Sequence, residues 1–232
     1  MADFVLVHGA WHGAWCWRRV LPTLWSAGHR AFAVSLSGVG ERAHLAPQSV
    51  TLDTHIADVA AVIEAEELRE VILVGHSYAG VVITGVAQRS ADRLRHLVYL
   101  DAIVPRPGES WSSGHSESTR STRRHAIAGH GALPAPDPAI FGLAGADAAW
   151  VARRQTPHPG AVYDERLEFD AERIAKLPRT FISCTSPPLA AIDASRDRVR
   201  DEPGWNHIEL ATGHDAMISA PEPLLRALLA LA

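Results

Sequence analysis

The chain reads as an α/β protein built on a mostly parallel sheet with helices on both faces. Three observations predict this. Short continuous apolar runs recur and read as strands buried on both faces. Segments with apolar residues at helical spacing separate them. A length of 232 residues, 47% of them hydrophobic, suffices for one substantial core.

The elements follow in order. Phe4–Val7 is a first buried strand, and the loop His8-Gly9-Ala10-Trp11-His12-Gly13-Ala14-Trp15 leaves it. A helix is predicted over Cys16–Ala27, where Trp17, Val20, Leu21 and Leu24 share a face and Gly28 closes it. Arg30–Leu36 is the second strand, followed by the Gly-rich Ser37-Gly38-Val39-Gly40-Glu41-Arg42. Thr51–Glu66 is a helix with Thr51 as N-cap and Leu52, Ile56, Val59, Ala60 and Ile63 on one face. Asp53-Thr54-His55 and Asp58 at its start read as caps and dipole partners. Val71–Val74 is the third strand, a helix runs from Ser77 to about Ser90, and Leu94–Leu100 is the fourth strand.

From Pro105 to about Pro178 the pattern changes. Gly108–Gly131 has almost no apolar residues and is expected to be a mobile surface loop. Phe141–Gln155 is predicted as one helix around Trp150 and Val151. Arg179–Cys184 and His207–Leu210 are the fifth and sixth strands, and Glu222–Leu231 a closing helix. Residues 1–104 and 179–232 are thus expected to form the core of a single domain, with 105–178 inserted as a lid. That insertion point lies over the carboxyl ends of the strands, where open α/β sheets bind ligands.

A net charge of −4 offers no electrostatic case for nucleic acid or anionic membrane. Met1-Ala2-Asp3 carries no basic region and no long apolar run follows, so no signal peptide is expected. No segment reaches the roughly 18 apolar residues that span a bilayer. Cys16 and Cys184 read as small buried hydrophobes in a reducing compartment, and the expected location is cytoplasmic.

The chemistry centres on Val71-Ile72-Leu73-Val74-Gly75-His76-Ser77-Tyr78-Ala79-Gly80. A G-x-S-x-G turn between a strand and a helix is the context of a nucleophile elbow. The tight turn strains the serine backbone, and glycines two before and two after Ser77 let strand and helix approach. A nucleophilic serine needs a base. His214, in Thr212-Gly213-His214-Asp215-Ala216-Met217 after the last strand, lies at the same sheet edge and comes last in the chain. Two backbone N–H groups must meet the developing alkoxide. One is expected from Tyr78, the other from Ala10 or Trp11 in the loop after the first strand.

These motifs together resemble the α/β-hydrolase superfamily. Within it they resemble the branch of plant hydroxynitrile lyases, plant methylesterases and bacterial carboxylesterases of the pyrethroid-hydrolase type. The resemblance rests on Val5–Trp17, Gly38-Val39-Gly40-Glu41-Arg42, Gly75–Gly80 and Gly213–Met217, and is weakest over Gly108–Gly131. It implies a Ser-His-acid enzyme without cofactor or metal, with a lid over a largely apolar pocket. Hydroxynitrile lyases of this branch carry a Thr in the oxyanion loop and a Lys after the catalytic His; Gly9 and Asp215 stand at those positions here, which favours hydrolysis over cyanohydrin cleavage.

The family usually places its acid a few residues beyond the penultimate strand, but Thr185-Ser186-Pro187-Pro188-Leu189 contains no carboxylate. Asp101, at the tip of the fourth strand, is the favoured acid, with Asp193 the runner-up and Asp197 further along a charged, exposed helix. Only hydrogen-bond reach to the imidazole matters for this role. Trp11, Tyr78, Ile103, Phe141, Trp150 and Met217 are expected to line the substrate pocket. Trp11, Trp15, Trp17 and Trp25 are spaced for core packing and pocket walls. His115, His125 and His130 read as solvated, and Arg120, Arg123 and Arg124 as a solvated charge run.

The expected function is therefore a serine hydrolase of the carboxylesterase type, cleaving a small to medium apolar ester through an acyl-Ser77 intermediate. A lyase or cyclase using the same Ser/His pair, a thioesterase, and a non-enzymatic binding protein are the alternatives. The partners expected are a small-molecule ester and at most a second copy of the chain as a homodimer, with no nucleic acid and no membrane.

Overall fold

A computed structural model of the chain describes residues 1–45 and 47–232. Six strands, β1 (Asp3–Val7), β2 (Arg30–Val34), β3 (Val71–His76), β4 (Leu94–Leu100), β7 (Arg179–Cys184) and β8 (Trp205–Leu210), form one sheet in the order β2-β1-β3-β4-β7-β8. Every neighbouring pair in it is parallel. Two short strands, β5 (Ala132–Leu133) and β6 (His158–Pro159), make a separate antiparallel ribbon.

The central strands are buried along their length because helices cover both faces. The helices are α1 (Leu21–Ser26), α2 (Leu52–Ala65), α3 (Ala79–Ser90), α4 (Glu117–His130), α5 (Gly145–Ala152), α6 (Ala171–Ala175), α7 (Asp193–Asp201), α8 (Ala216–Ser219) and α9 (Pro221–Leu229). Thr51 caps α2 as expected, in a reciprocal box with Thr54. Asp58, by contrast, is not a cap: it takes the backbone N–H (2.6 Å) and hydroxyl (3.0 Å) of Ser37 and pairs with Arg42. His55 is wholly buried between the Ser37 carbonyl and the Tyr78 hydroxyl.

Register decides what meets at the carboxyl edge. Val7 pairs with Gly75, and His76 pairs with Leu100, so Ser77 is flanked by the Gly9 loop on one side and Asp101 on the other. The chain turns from β2 back across β1 to β3, so the topological switch falls between β1 and β3, the position at which open α/β sheets bind ligands.

Several sequence expectations need correction. The predicted helix over 16–27 divides into a 3-10 turn over Ala14–Arg19 and α1, with Pro22 in the first turn of α1. The predicted helix over 141–155 is also broken: Pro138–Phe141 is a 3-10 turn, Gly142 sits at φ +78°, and only α5 is regular. Trp25 is 54% exposed and packs into no core.

The largest difference concerns 108–131. This stretch is not a structureless loop but a 3-10 turn (Trp111–Gly114) followed by the four-turn helix α4. Local chemistry explains it. Ser116 caps the N-terminus, Glu117 and Arg120 pair three residues apart, and Gly131 at φ +68° ends the helix. No residue of α4 is fully buried, which is why its composition reads as loop. Trp111, in the same stretch, is buried and does contribute to the core.

Close backbone packing sets the elbow. A Cβ on Gly80 would fall 2.0 Å from the Ile103 carbonyl oxygen, and one on Gly75 would fall 2.8 Å from that of Ala79. Both obstacles are main chain and cannot swing aside. We expect Gly80→Ala to lower stability by about 3 kcal/mol or more, read as a shift of the urea unfolding midpoint. An unchanged midpoint would contradict the packing described here.

Candidate active site

Ser77 is the half-buried residue at the β3–α3 turn, held at φ +56°. Three of the five non-glycine residues with positive φ among those described are Trp11, Ser77 and Asp101. Such backbone costs on the order of 1–3 kcal/mol per residue and persists only where its surroundings enforce it. For Ser77 the enforcement is visible: its N–H donates to the Leu100 carbonyl (3.2 Å), and its carbonyl accepts from Gly80 (3.1 Å) and Ile103 (3.0 Å).

His214 follows β8 and returns to the same edge. Its Nδ1–H donates to Asp101 Oδ2 at 2.7 Å, and its Nε2 is buried with no hydrogen-bond partner among the described residues. Its backbone N–H donates to the Phe141 carbonyl at 2.9 Å, which fixes the loop. Asp101 is fully buried and also accepts from the Cys184 N–H (3.1 Å) and from Arg196 Nη2 (2.7 Å). Asp193 lies elsewhere. It opens α7, is 60% exposed, and pairs with Nη1 of the same Arg196 at 2.6 Å. Asp197 is exposed and pairs with Arg200.

Of the two candidate donors in the loop after β1, Trp11 N–H is occupied by His158 Nδ1 at 3.3 Å. Ala10 N–H and Tyr78 N–H have no partner among the described residues. The loop lies against the elbow: a Cβ on Gly9 would meet the Ser77 Cβ at 2.8 Å and His76 Nδ1 at 2.9 Å, so a side chain at position 9 would force Ser77 or His76 to shift.

The expected pocket residues scatter more widely. Phe141 sits 5.6 Å from the His214 ring, 5.7 Å from His12 and 6.2 Å from Trp11, measured between centroids. The Tyr78 ring faces His55, Trp111 and His158. Ile103 reaches the elbow through its backbone, Met217 is fully buried in α8, and Trp150 meets the site through Trp15, which stacks on His12.

The segment 105–178 contributes three contacts that sequence reasoning missed. Trp11 Nε1–H donates to the Leu133 carbonyl (3.1 Å), Thr156 N–H to the Trp11 carbonyl (3.1 Å), and Arg123 lies over the rings of Trp11, Trp111 and Tyr163 at 5.3 to 5.7 Å. Arg123 thus turns inward from α4, and burial lowers the pKa of its guanidinium, whereas Arg120 and Arg124 pair outward with Glu117 and Asp164. His115, expected in solvent, is half-buried against the Tyr163 hydroxyl at 3.0 Å. His125 and His130 are exposed.

Buried histidines crowd this edge. Burial holds His8 down to about 3 and His55 to about 4, and drives His76 and His158 well below the ordinary imidazole value. Asp215, also buried, is brought down to about 2 because its contacts with His12 and the neighbouring imidazoles outweigh burial. His76, His214 and Asp215 bring three ligand-type atoms within 4.8 Å of one another. In this group Asp215 Oδ2 is engaged by His12, His76 Nε2 donates to the His214 carbonyl (3.1 Å), and His214 Nδ1 is committed to Asp101.

A parallel sheet with a strained serine at a strand–helix turn, beside a carboxylate-bound imidazole from the last strand, is the arrangement of the α/β hydrolases. The chain belongs to that family: the alpha/beta hydrolase family model matches residues 4–227. It is 41% identical over 241 residues to a carbendazim hydrolyzing esterase of Nocardioides sp. (strain SG-4G), covering all of both chains. It is 39% identical over 103 residues to an alpha-hydroxynitrile lyase of Arabidopsis thaliana, across 44% of this chain and 40% of that one. Among solved structures, an extracellular alpha/beta-hydrolase from a Paenibacillus species superposes with a TM-score of 0.86 at 21% identity, covering 100% of this chain and 99% of the other. No helix among the described residues is long and apolar enough to cross a membrane.

The buried imidazoles predict an acid-labile fold. His8, His55, His76 and His158 stay neutral when folded but protonate near 6.5 when unfolded, so the unfolded state binds more protons below that pH. Their stability is present above about pH 6.5 and lost as pH falls toward 4, at up to ~1.4 kcal/mol per pH unit for each imidazole. His12 acts oppositely: Asp215 outweighs burial and raises its pKa, so its contribution is full below 6.5 and lost on going alkaline through the raised value. Four outweigh one, and the melting temperature should drop steadily from pH 7 to pH 5. A flat profile would show that these rings are not buried neutral.

Proposed function

We propose that this chain is a carboxylesterase-type serine hydrolase acting by acyl transfer to Ser77. The observation that carries the reading is the His214–Asp101 bond of 2.7 Å, with the opposite ring nitrogen buried and unpartnered beside the elbow. The bond puts the proton on Nδ1 and leaves Nε2 basic, the tautomer needed to accept a serine proton. The full-length esterase relative supports ester hydrolysis as the chemistry.

Ser77 Oγ attacks the ester carbonyl as its proton moves to His214 Nε2. The new oxyanion is met by the N–H groups of Tyr78 and Ala10; Trp11, whose N–H is bound to His158, is not a donor in this scheme. Asp101 holds the ring and balances the imidazolium. His214 then returns the proton to the departing alcohol, and water releases the acyl group by the reverse sequence.

The substrate class is a small to medium apolar carboxylic ester, set against the aromatic surface of Trp11, Tyr78, Trp111 and Phe141. Residues 105–178 serve as the lid over 1–104 and 179–232. The protein works in the cytoplasm, in keeping with two unpaired, buried cysteines. Cyanohydrin cleavage is disfavoured, since the residue after His214 is a buried aspartate paired with His12.

Three variants test the assignment with p-nitrophenyl acetate and a fluorophosphonate. Ser77→Ala should lower turnover by about 10⁴-fold or more and abolish labelling. Asp101→Asn should lower kcat by about 10³- to 10⁴-fold, because the amide favours the wrong tautomer. Asp193→Asn should stay within about 3-fold of wild type. Loss of turnover in Asp193→Asn with Asp101→Asn active would reverse the choice of acid.

A further inference from the structure

The proton transfers above leave His12 and His158 without a task, yet both close on the loop that offers Ala10 N–H. The Ala10–Trp11 peptide unit is held at each end. Its carbonyl accepts from His12 Nδ1–H at 2.8 Å, and its N–H donates to His158 Nδ1 at 3.3 Å. The preceding unit is held at its Gly9 carbonyl by His8 Nδ1–H (2.7 Å), whose Nε2 accepts from Leu36 N–H (3.1 Å). A trans peptide points its N–H opposite to its carbonyl. Pinning these two units therefore fixes the direction of the one N–H left free between them, that of Ala10.

The protonation of His12 follows from its partners. Nδ1 faces a carbonyl oxygen and Nε2 faces Asp215 Oδ2 at 3.2 Å. Both are pure acceptors, so both ring nitrogens must carry hydrogen, and the ring is an imidazolium. It is 1% exposed and its carboxylate partner 0%. Asp215 is the residue after His214, and its Oδ1 lies 3.6 Å from His76 Nε2, which itself bonds the His214 carbonyl. One buried cation thus joins the loop carrying Ala10 to the segment carrying the base.

We propose that His12, as an imidazolium bonded to Ala10 and Asp215, is a positioning residue that sets the oxyanion-binding loop against His214, with His158 as its counter-pin. The inference rests on the acyl-transfer reading and adds to it a requirement on geometry. Its signature is a fall in kcat with KM nearly unchanged, because orientation of Ala10 N–H matters only once the oxyanion forms.

The test compares H12N, H12Q, H158N, H158L and the double variant H12Q with D215N. Each is assayed for p-nitrophenyl acetate turnover, for the rate of phosphonylation by a fluorophosphonate, and for melting temperature. Leucine at 158 removes the acceptor for Trp11, and asparagine can restore one near the Nδ1 position. H158L should lose about 10- to 100-fold in kcat and in phosphonylation rate with KM within about 3-fold, and H158N should recover most of it. Glutamine at 12 can reach Asp215 but not Ala10, so H12Q should lose more kcat than H12N, whose amide can reach Ala10.

If the single His12 variants fail to fold because Asp215 is left unpaired, the double variant removes both charges. It should regain melting temperature and keep the low kcat. Recovery of kcat together with melting temperature would show that the pair serves stability alone and would overturn the proposal. So would folded H158L with kcat within about 3-fold of wild type, or a loss confined to KM. Failure of the wild-type chain to label at Ser77 would overturn the acyl-transfer reading and this inference with it. Normal labelling with unaffected variants would overturn this inference by itself.

Discussion

Main chain must pass main chain at van der Waals distance around Ser77, and most of the site follows from that. Strand β3 cannot hand over to α3 within one left-handed residue unless its neighbours lack side chains. Gly75 admits the Ala79 carbonyl, Gly80 the Ile103 carbonyl, and Gly9 the Ser77 Cβ itself. Once these approaches are allowed, the parallel register puts the loop after β1 and the tip of β4 on either side of the serine. The strain at Trp11, Ser77 and Asp101 is the local consequence of holding three loops together at one sheet edge.

Hydrogen bonds then convert proximity into orientation. Asp101 receives a backbone N–H, a guanidinium and the imidazole, so its carboxylate has few other orientations available to it. The same logic governs His8 and His12 of the opposite loop and His158 of β6, each of which satisfies a backbone group of that loop that would otherwise be buried without a partner. Most of these rings are kept neutral by desolvation, and the single cation among them, His12, is matched by Asp215. Removing either partner of that pair would leave a buried charge, a far larger penalty than the bond itself is worth.

The segment between β4 and β7 is joined to the site through Trp11. Its ring is edged by Trp111 and His158 and covered by Arg123, and its backbone is bonded from Thr156. Movement of α4 would therefore be felt at the loop carrying Ala10.

Local sequence carried a good deal of this. The six strands, the capped helix α2, the elbow at Ser77 and the late histidine at 214 are all legible, because each depends on residues adjacent in the chain or on a simple period. Helix α4 was missed because it buries no residue fully, so apolar periodicity had nothing to report, although Ser116 and Gly131 mark its ends. What only the tertiary structure decided is which carboxylate meets His214. The strand-tip position favours Asp101 over Asp193 in the sequence without excluding the latter, and in the structure both bind Arg196. The register of β4 beside β3 and β7 makes the choice, by setting the tip of β4 against the imidazole. Of the clamps on the Ala10–Trp11 peptide, His12 lies two positions from Ala10, but His158 and the Asp215 that holds His12 lie more than a hundred positions from the loop and were equally hidden. Sequence specifies each element through its neighbours; pairing of distant polar groups needs the sheet to bring them within reach.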